Sequence, residues 1–347
     1  MKIGILGCGI VTEKSHLPTF PIANDIERTV LYDPKPDHVR AVAKNNGFAL
    51  GTSNWDEFWN ARPDTLLIAS PASRHLQNVR DAAAHGIRHI LCEKPLTDSN
   101  EDDAEMLRIA QENQIRIIPC FCYRFGSVST QIRTTIRSGA IGSVRSMRLV
   151  FNWDCHGKNR PDMQAGYNKR RHLRMLEGGP LVDCGIHLVD LLRFWTGAEP
   201  VAWTGFGAWA DSYVAPDHVW AHITLSNGAH AMTETSFSYG QTCKDRLSRY
   251  LYEIIGTDGV IRYDRDARLF ECQNEKGYFS FPIGETKDFG AFDAAYLQAV
   301  RTDDFSALPA IEDAILAGKI VRDATRQAIE NRPASLPPPC IPSPPSA

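Results

Sequence analysis

The first nine residues constrain the fold more than any others. Met1-Lys2-Ile3-Gly4-Ile5-Leu6 is a short apolar run that ends in Gly7-Cys8-Gly9. An apolar strand breaking into a Gly-x-Gly turn and then a helical segment opens a β-α-β unit. The same punctuation recurs downstream. Candidate strands at Lys2–Leu6, Arg28–Tyr32, Thr65–Ala69, Arg88–Cys92 and Arg116–Pro119 alternate with helical patterns at His38–Asn45, His75–His85 and Glu101–Asn113. The first four strands are apolar enough to be buried on both faces, as in a parallel sheet. Alternation of this kind predicts a doubly wound α/β sheet.

From Phe121 the pattern changes. Gln131–Ser138 reads as a helix, Val144–Trp153 as a strand, and Leu181–Trp195 as one helix closed by Thr196-Gly197. Strand-like runs follow at Val201–Ala210, Val219–Leu225, His230–Ser236, Tyr250–Ile255, Val260–Tyr263 and Arg268–Cys272. Ser226-Asn227-Gly228 and Thr257-Asp258-Gly259 are hairpin signals between them, so the second sheet is expected to be large, open and mostly antiparallel. Helical patterns return at Gly290–Arg301 and Ile311–Glu330. The expected division is a Rossmann domain over 1–121, a second α/β domain over 122–331, and a Pro-rich disordered tail over 332–347.

Bulk properties exclude several classes. The 347 residues carry a formal net charge of −3, which provides no field for nucleic acid or anionic membrane. No apolar run approaches a membrane span, and the apolar start is too brief for a signal peptide, so a cytoplasmic protein is expected. Nine cysteines without paired CxxC units are read as reduced buried thiols, and no metal is expected.

Four segments carry candidate chemistry. At the glycine turn, Gly7 permits the bend, and Gly9 with Ile10 and Val11 lets the backbone approach a pyrophosphate at a helix N-terminus. Thr12 stands where a third glycine is usual. Asp33 closes the second strand, where a carboxylate accepts from ribose hydroxyls and disfavours a 2′-phosphate; it would equally serve as a turn or cap residue before Pro34. Ser70-Pro71-Ala72-Ser73-Arg74-His75 follows the third strand, with Ser73 available as an N-cap and His75 facing either nicotinamide or solvent. Glu93-Lys94-Pro95 follows the fourth strand, where a lysine is either a surface group or a donor to an alkoxide.

The fourth segment is Gly178-Gly179-Pro180 to Asp190. Asp183, His187 and Asp190 share one helical face, so the carboxylate can orient the imidazole, or the pair is an ordinary cap or surface pair. The glycines would allow close approach to a ligand. Just upstream, Lys169-Arg170-Arg171-His172 and Arg174 form either a solvated loop or an anion clamp. Trp153, Asp154 and His156, with Tyr239, are weaker candidates for a sugar pocket.

Taken in order with Tyr123-Arg124-Phe125, these segments resemble the Gfo/Idh/MocA oxidoreductase family over about residues 1–330. The resemblance implies an NAD(P)-dependent reaction at a secondary alcohol of a sugar, inositol or related polyol. It implies dimers or tetramers through the C-terminal sheet. It also implies that Lys94, Asp183 and His187 surround the reacting carbon. Arg124 and Arg170 are further candidates for substrate contact. The acidic Asp33 favours NAD over NADP. Two other readings stay open on residues alone: retained NAD that serves transient oxidation for glycosidic cleavage or epimerisation, and a non-catalytic NAD sensor.

Overall fold

The computed structural model describes the chain except residues 21–25, 156–168, 241–242, 246, 337–338 and 340–347, and describes the backbone alone of 169 and 170. The tail expected to be disordered therefore lies largely outside the described residues. The chain divides into two compact units: Met1–Phe125 with Lys287–Leu316, and Gly126–Thr286 with the residues from Ala317 onward.

The first unit holds a six-stranded parallel sheet of β1 (Lys2–Leu6), β2 (Glu27–Tyr32), β3 (Leu50–Thr52), β4 (Thr65–Ile68), β5 (His89–Cys92) and β6 (Arg116–Pro119), in the order β3-β2-β1-β4-β5-β6. This is the doubly wound order, and ligands bind such sheets at the carboxyl ends beside the β1/β4 switch. Register decides what gathers there. Leu6 pairs with Tyr32 and Ile68, Ile68 with Cys92, and Cys92 with Pro119. The residues that follow, Gly7, Asp33, Ala69, Glu93 and Cys120, therefore lie along one edge. Strand β3 and the helix Trp55–Asn60 are too short for a periodicity argument, although Asn54 caps that helix by accepting from the Asp56 and Glu57 amides. The helix Phe289–Thr302, N-capped by Asp288, also belongs to this unit.

The second unit holds an eight-stranded sheet. Its strands are β7 (Val144–Trp153), β8 (Pro200–Ala208), β9 (His218–Leu225), β10 (His230–Ser236), β11 (Ser248–Gly256), β12 (Gly259–Asp264), β13 (Leu269–Asn274) and β14 (Gly277–Ser280), ordered β14-β13-β12-β11-β7-β10-β9-β8. Only β7 and β10 run parallel; the other pairs are antiparallel, as expected. Burial alternates along β9, with Val219, Ala221, Ile223 and Leu225 in the core and His218, Trp220, His222 and Thr224 half-buried on the other face.

Two expectations change here. The segment read as one helix from Leu181 begins as a π-helical turn, Leu181–Gly185, before the α-helix Ile186–Thr196. The turn is widened where Leu181 Cδ1 lies 2.5 Å from the position a Cβ of Gly185 would take, so the leucine fills the space that the glycine leaves. The basic run, read as either a solvated loop or an anion clamp, is the helix Lys169–Leu176.

Candidate active site

The glycine turn is held by side chains. Gly7 has φ +100°, and a Cβ on it would lie 2.7 Å from the backbone of Ala69 and Ser70. The Asp33 carboxylate accepts the Cys8 amide through Oδ2 at 3.0 Å and the Lys35 amide through Oδ1 at 3.0 Å. Asp33 is thus a turn brace, and each oxygen keeps a lone pair for a ribose hydroxyl. Thr12 is fully buried and its hydroxyl donates to the Gly7 carbonyl at 2.7 Å. The residue that breaks the glycine pattern therefore ties the turn to its helix. A Cβ on Gly9 would meet no atom within 4 Å, and Ile10 beside it is exposed. An open space over a glycine at the start of a helix, with a carboxylate at the end of β2, fits a dinucleotide.

The segment after β4 corrects two expectations. The helix there is Ala72–Ala84 with Pro71 at its N-cap, so Ser73 lies inside the first turn. His75 is 1% exposed, with Nε2 2.8 Å from the Ser70 carbonyl and Nδ1 3.1 Å from the Leu96 carbonyl. Burial lowers its proton affinity, so the ring is neutral, donates to one of these carbonyls and is shut off from solvent; Nδ1 also lies 3.5 Å from Cys92 Sγ. The Ser70 hydroxyl accepts from the Asn78 amide at 2.7 Å.

Glu93 and Lys94 follow β5. Glu93 is buried, and its Oε2 accepts the Lys94 amide at 3.1 Å, while its Oε1 lies 3.1 Å from Nε2 of the fully buried His16. On the other side of the ring, His16 Nδ1 is 3.0 Å from both carboxylate oxygens of Asp293. Burial alone would strip the imidazole of its second proton; the hydrogen bonds to Asp293 and Glu93 outweigh it and lift its pKa to about 10. Burial likewise opposes the Glu93 charge, and His16 and then Lys94 overcome it, so that carboxyl lies below its ordinary range. Nothing in the sequence pointed to His16 or Asp293. Arg124, expected near the substrate, is ion-paired with Asp313 at 2.8 Å in this same unit.

In the second unit Asp183 lies in the π-helical turn and His187 is buried in the first turn of the helix that follows. Gly178 and Gly179 have φ of +114° and +76°, and a Cβ on Gly178 would lie 2.7 Å from Val182. They lie between the helix Lys169–Leu176 and the π-helical turn that starts at Leu181, so their positive φ serves the fold itself. Arg174 pairs with Asp183. Arg171 is buried and pairs with Asp217 and, at 2.8 Å, with Asp211, while also donating to the Phe237 carbonyl. The basic helix thus spends Arg171 and Arg174 on internal acids, which removes them from the anion-clamp reading. His156 lies outside the described residues, as does the side chain of Arg170. Asp154 bridges to Ser238, next to Tyr239, and Trp153 packs edge-on against Phe237 at 5.8 Å. Trp153, Asp154 and Tyr239 therefore gather at one end of the β7–β10 pair.

The fold and these groups define a nucleotide-binding redox protein. Residues 1–121 match an oxidoreductase family with an NAD-binding Rossmann fold, and residues 129–262 match the Gfo/Idh/MocA C-terminal domain. The chain belongs to the Gfo/Idh/MocA oxidoreductase family and is an NAD-dependent oxidoreductase. It is 25% identical to the D-glucoside 3-dehydrogenase of Escherichia coli K12 over 69% of this chain and 70% of that one. It is 26% identical to the rhizopine catabolism protein MocA of Rhizobium meliloti over 78% of each. A levoglucosan dehydrogenase solved with NADH and levoglucosan shares the fold with a TM-score of 0.78 at 20% identity, over 95% of this chain and 97% of that one. Among the described residues no helix is long and apolar enough to cross a membrane.

Proposed function

We propose that this protein transfers a hydride between NAD and a secondary alcohol or ketone carbon of a sugar, inositol or related cyclic polyol. The observation that carries the reading is the placement of Lys94 at the carboxyl edge of β5, on a backbone anchored by the buried Glu93, in a chain that also holds Asp183 and His187. The sugar substrate class is supported by the names of the relatives, a glucoside 3-dehydrogenase and a levoglucosan dehydrogenase. Bound NAD supplies the hydride acceptor. His187 takes the hydroxyl proton, and Lys94 donates to the same oxygen and stabilises the alkoxide character that develops there. Asp183 favours the imidazolium that forms on His187. The proton-accepting role passes to Lys94 if its ammonium is the group that deprotonates.

The open face of the second sheet supports self-association. Register places Phe206, Trp220, Met232, Leu251 and Ile255 on one face, with Phe206 49% and Ile255 40% exposed. A second copy of the chain would cover such a face.

The test is NADH formation with NAD and a panel of inositols, aldoses, uronates and amino sugars, run beside Lys94→Ala. The expected variant loses turnover about 10³-fold and changes NAD affinity by less than about threefold. Equal loss of turnover and of NAD binding overturns the role of Lys94. Silence across the panel, with NAD bound in the purified protein, favours a cofactor that is recycled in place.

A further inference from the structure

We propose that His16 and Asp293 are positioning residues whose bridge to Glu93 fixes the backbone of Lys94, an inference that rests on the reading of Lys94 as the donor at the reacting oxygen.

The geometry is a chain of contacts within one unit. Asp293, on the helix Phe289–Thr302, meets His16 Nδ1 at 3.0 Å; His16, in the π-helical turn Thr12–His16, meets Glu93 Oε1 at 3.1 Å; and the other Glu93 oxygen accepts the Lys94 amide at 3.1 Å. Glu93 stands where β5 ends, so nothing in the strand ladder sets its rotamer. A carboxylate with one oxygen on His16 and the other on the next amide has its orientation fixed at both ends. The ring itself is closed in edge-on by Phe289, with centroids 4.9 Å apart.

The bridge requires a charged ring. A neutral imidazole has one N–H, whereas both nitrogens here face carboxylates, which accept and do not donate when ionised. Both contacts are hydrogen bonds when the ring is protonated at both nitrogens. His16, Glu93 and Cys120 also bring ligand-type atoms within 4.8 Å of one another. The cluster is nevertheless a poor cation site. Both histidine nitrogens are already engaged by carboxylates, and burial beside Glu93 pushes the Cys120 thiol well above its ordinary range, so it stays protonated. Among the described residues, the titratable groups that face the ring are Asp293 from its helix, Glu93 from the end of β5 and Cys120 from the end of β6. Asp288, Lys94 and Cys122 lie one contact further out. Removing Asp293 leaves Glu93 as the ring's carboxylate partner, so the second proton then leaves at a lower pH.

The experiment compares wild type, His16→Gln and Asp293→Asn. Amide hydrogen exchange at Lys94 needs no substrate. It is expected to quicken about tenfold in H16Q while amides of β9 keep their wild-type rates. In D293N it is expected to match wild type near about pH 6 and to approach H16Q near about pH 9, after correction for intrinsic exchange. Turnover of NAD with the sugar that gives NADH should fall about tenfold in H16Q, with NAD affinity within about threefold of wild type. The ratio of D293N to wild-type turnover should rise as pH falls. A role confined to stability predicts no such pH-dependent ratio. Unchanged Lys94 exchange in both variants, or a D293N ratio flat in pH, overturns the inference. If H16Q does not fold, the pH dependence of D293N decides alone. Wild-type turnover in K94A would overturn the Lys94 reading and leave the exchange result on the bridge standing.

Discussion

Each unit buries a cation between two carboxylates. In the first, His16 is held by Glu93 and Asp293; in the second, Arg171 is held by Asp217 and Asp211. Both cations are almost fully buried, and each ties together segments far apart in sequence. They differ in what they do with a proton. The guanidinium of Arg171 keeps its charge at any pH a protein survives, so its brace is permanent. The imidazole of His16 carries a second proton only because its two neighbours hold it there, so its brace is conditional. The permanent brace lies under the end of the β7–β10 pair, and the conditional one lies against the lysine assigned to the chemistry.

Removing the permanent brace should have the largest effect. Arg171→Met leaves Asp217, whose carboxyl is already pushed up by burial, facing Asp211 without a counter-charge. Breaking a buried pair on one side costs about 3–5 kcal/mol. Urea unfolding should show that loss, and exchange protection should fall in β9 and β10 before it falls in β1 and β4. A variant as stable as wild type would show that Arg171 is not what holds this region.

Raising the pH should strike the other unit. The pKa of His16 is about 10 in the folded protein, above its ordinary value of 6.5. Its contribution is therefore complete below the unfolded value, declines as the pH climbs between the two, and is gone once the pH passes the folded value. Exchange protection in β1, β4 and β5 should decline over that window, while β9 and β10, braced by arginine, should not share the slope. Parallel decline in both sheets would erase the distinction between the braces.

The same contrast explains what the sequence discloses. Gly7, Asp33, Glu93 and Lys94 were legible because a parallel sheet in register delivers the residue after each strand to one edge, so local patterns locate them. The alternation in β9 and the hairpin turns likewise read directly. The braces did not. His16 and Asp293 are 277 residues apart, and a histidine within the polar turn Thr12–His16 carries no local sign of a partner at that distance. Arg171 looks solvated in the run Lys169 to Arg174 because its acids lie 40 and 46 residues downstream. Thr12 read as a defect in a glycine pattern because a hydroxyl bond to the Gly7 carbonyl is a tertiary fact about one turn. His75 stayed open between nicotinamide and solvent because only the folded chain shows the two carbonyls that enclose it.

A middle-sized effect separates the two roles of the basic helix. Arg174 touches Asp183, which the proposed function places beside the reacting carbon, whereas the acids that Arg171 touches lie outside that proposal. Arg174→Met should lower turnover about tenfold, the worth of one charge-assisted contact, and leave urea unfolding close to wild type. If R174M instead destabilises the chain as R171M does, both arginines are braces and Asp183 owes nothing to its partner.

The smallest effect tests the brace that is local. Thr12→Val keeps the side-chain volume and removes the hydroxyl that donates to Gly7. The valine leaves the Gly7 carbonyl, in a half-buried turn, without that donor, which costs about 1 kcal/mol. Because the turn lies where a pyrophosphate would approach, part of that loss should appear as weaker NAD binding, about threefold in Kd, with the His16 bridge and Lys94 exchange untouched. Unchanged NAD affinity together with lower stability would make Thr12 a fold residue alone. Weaker binding with unchanged stability would show that the hydroxyl shapes the cofactor turn without holding the sheet.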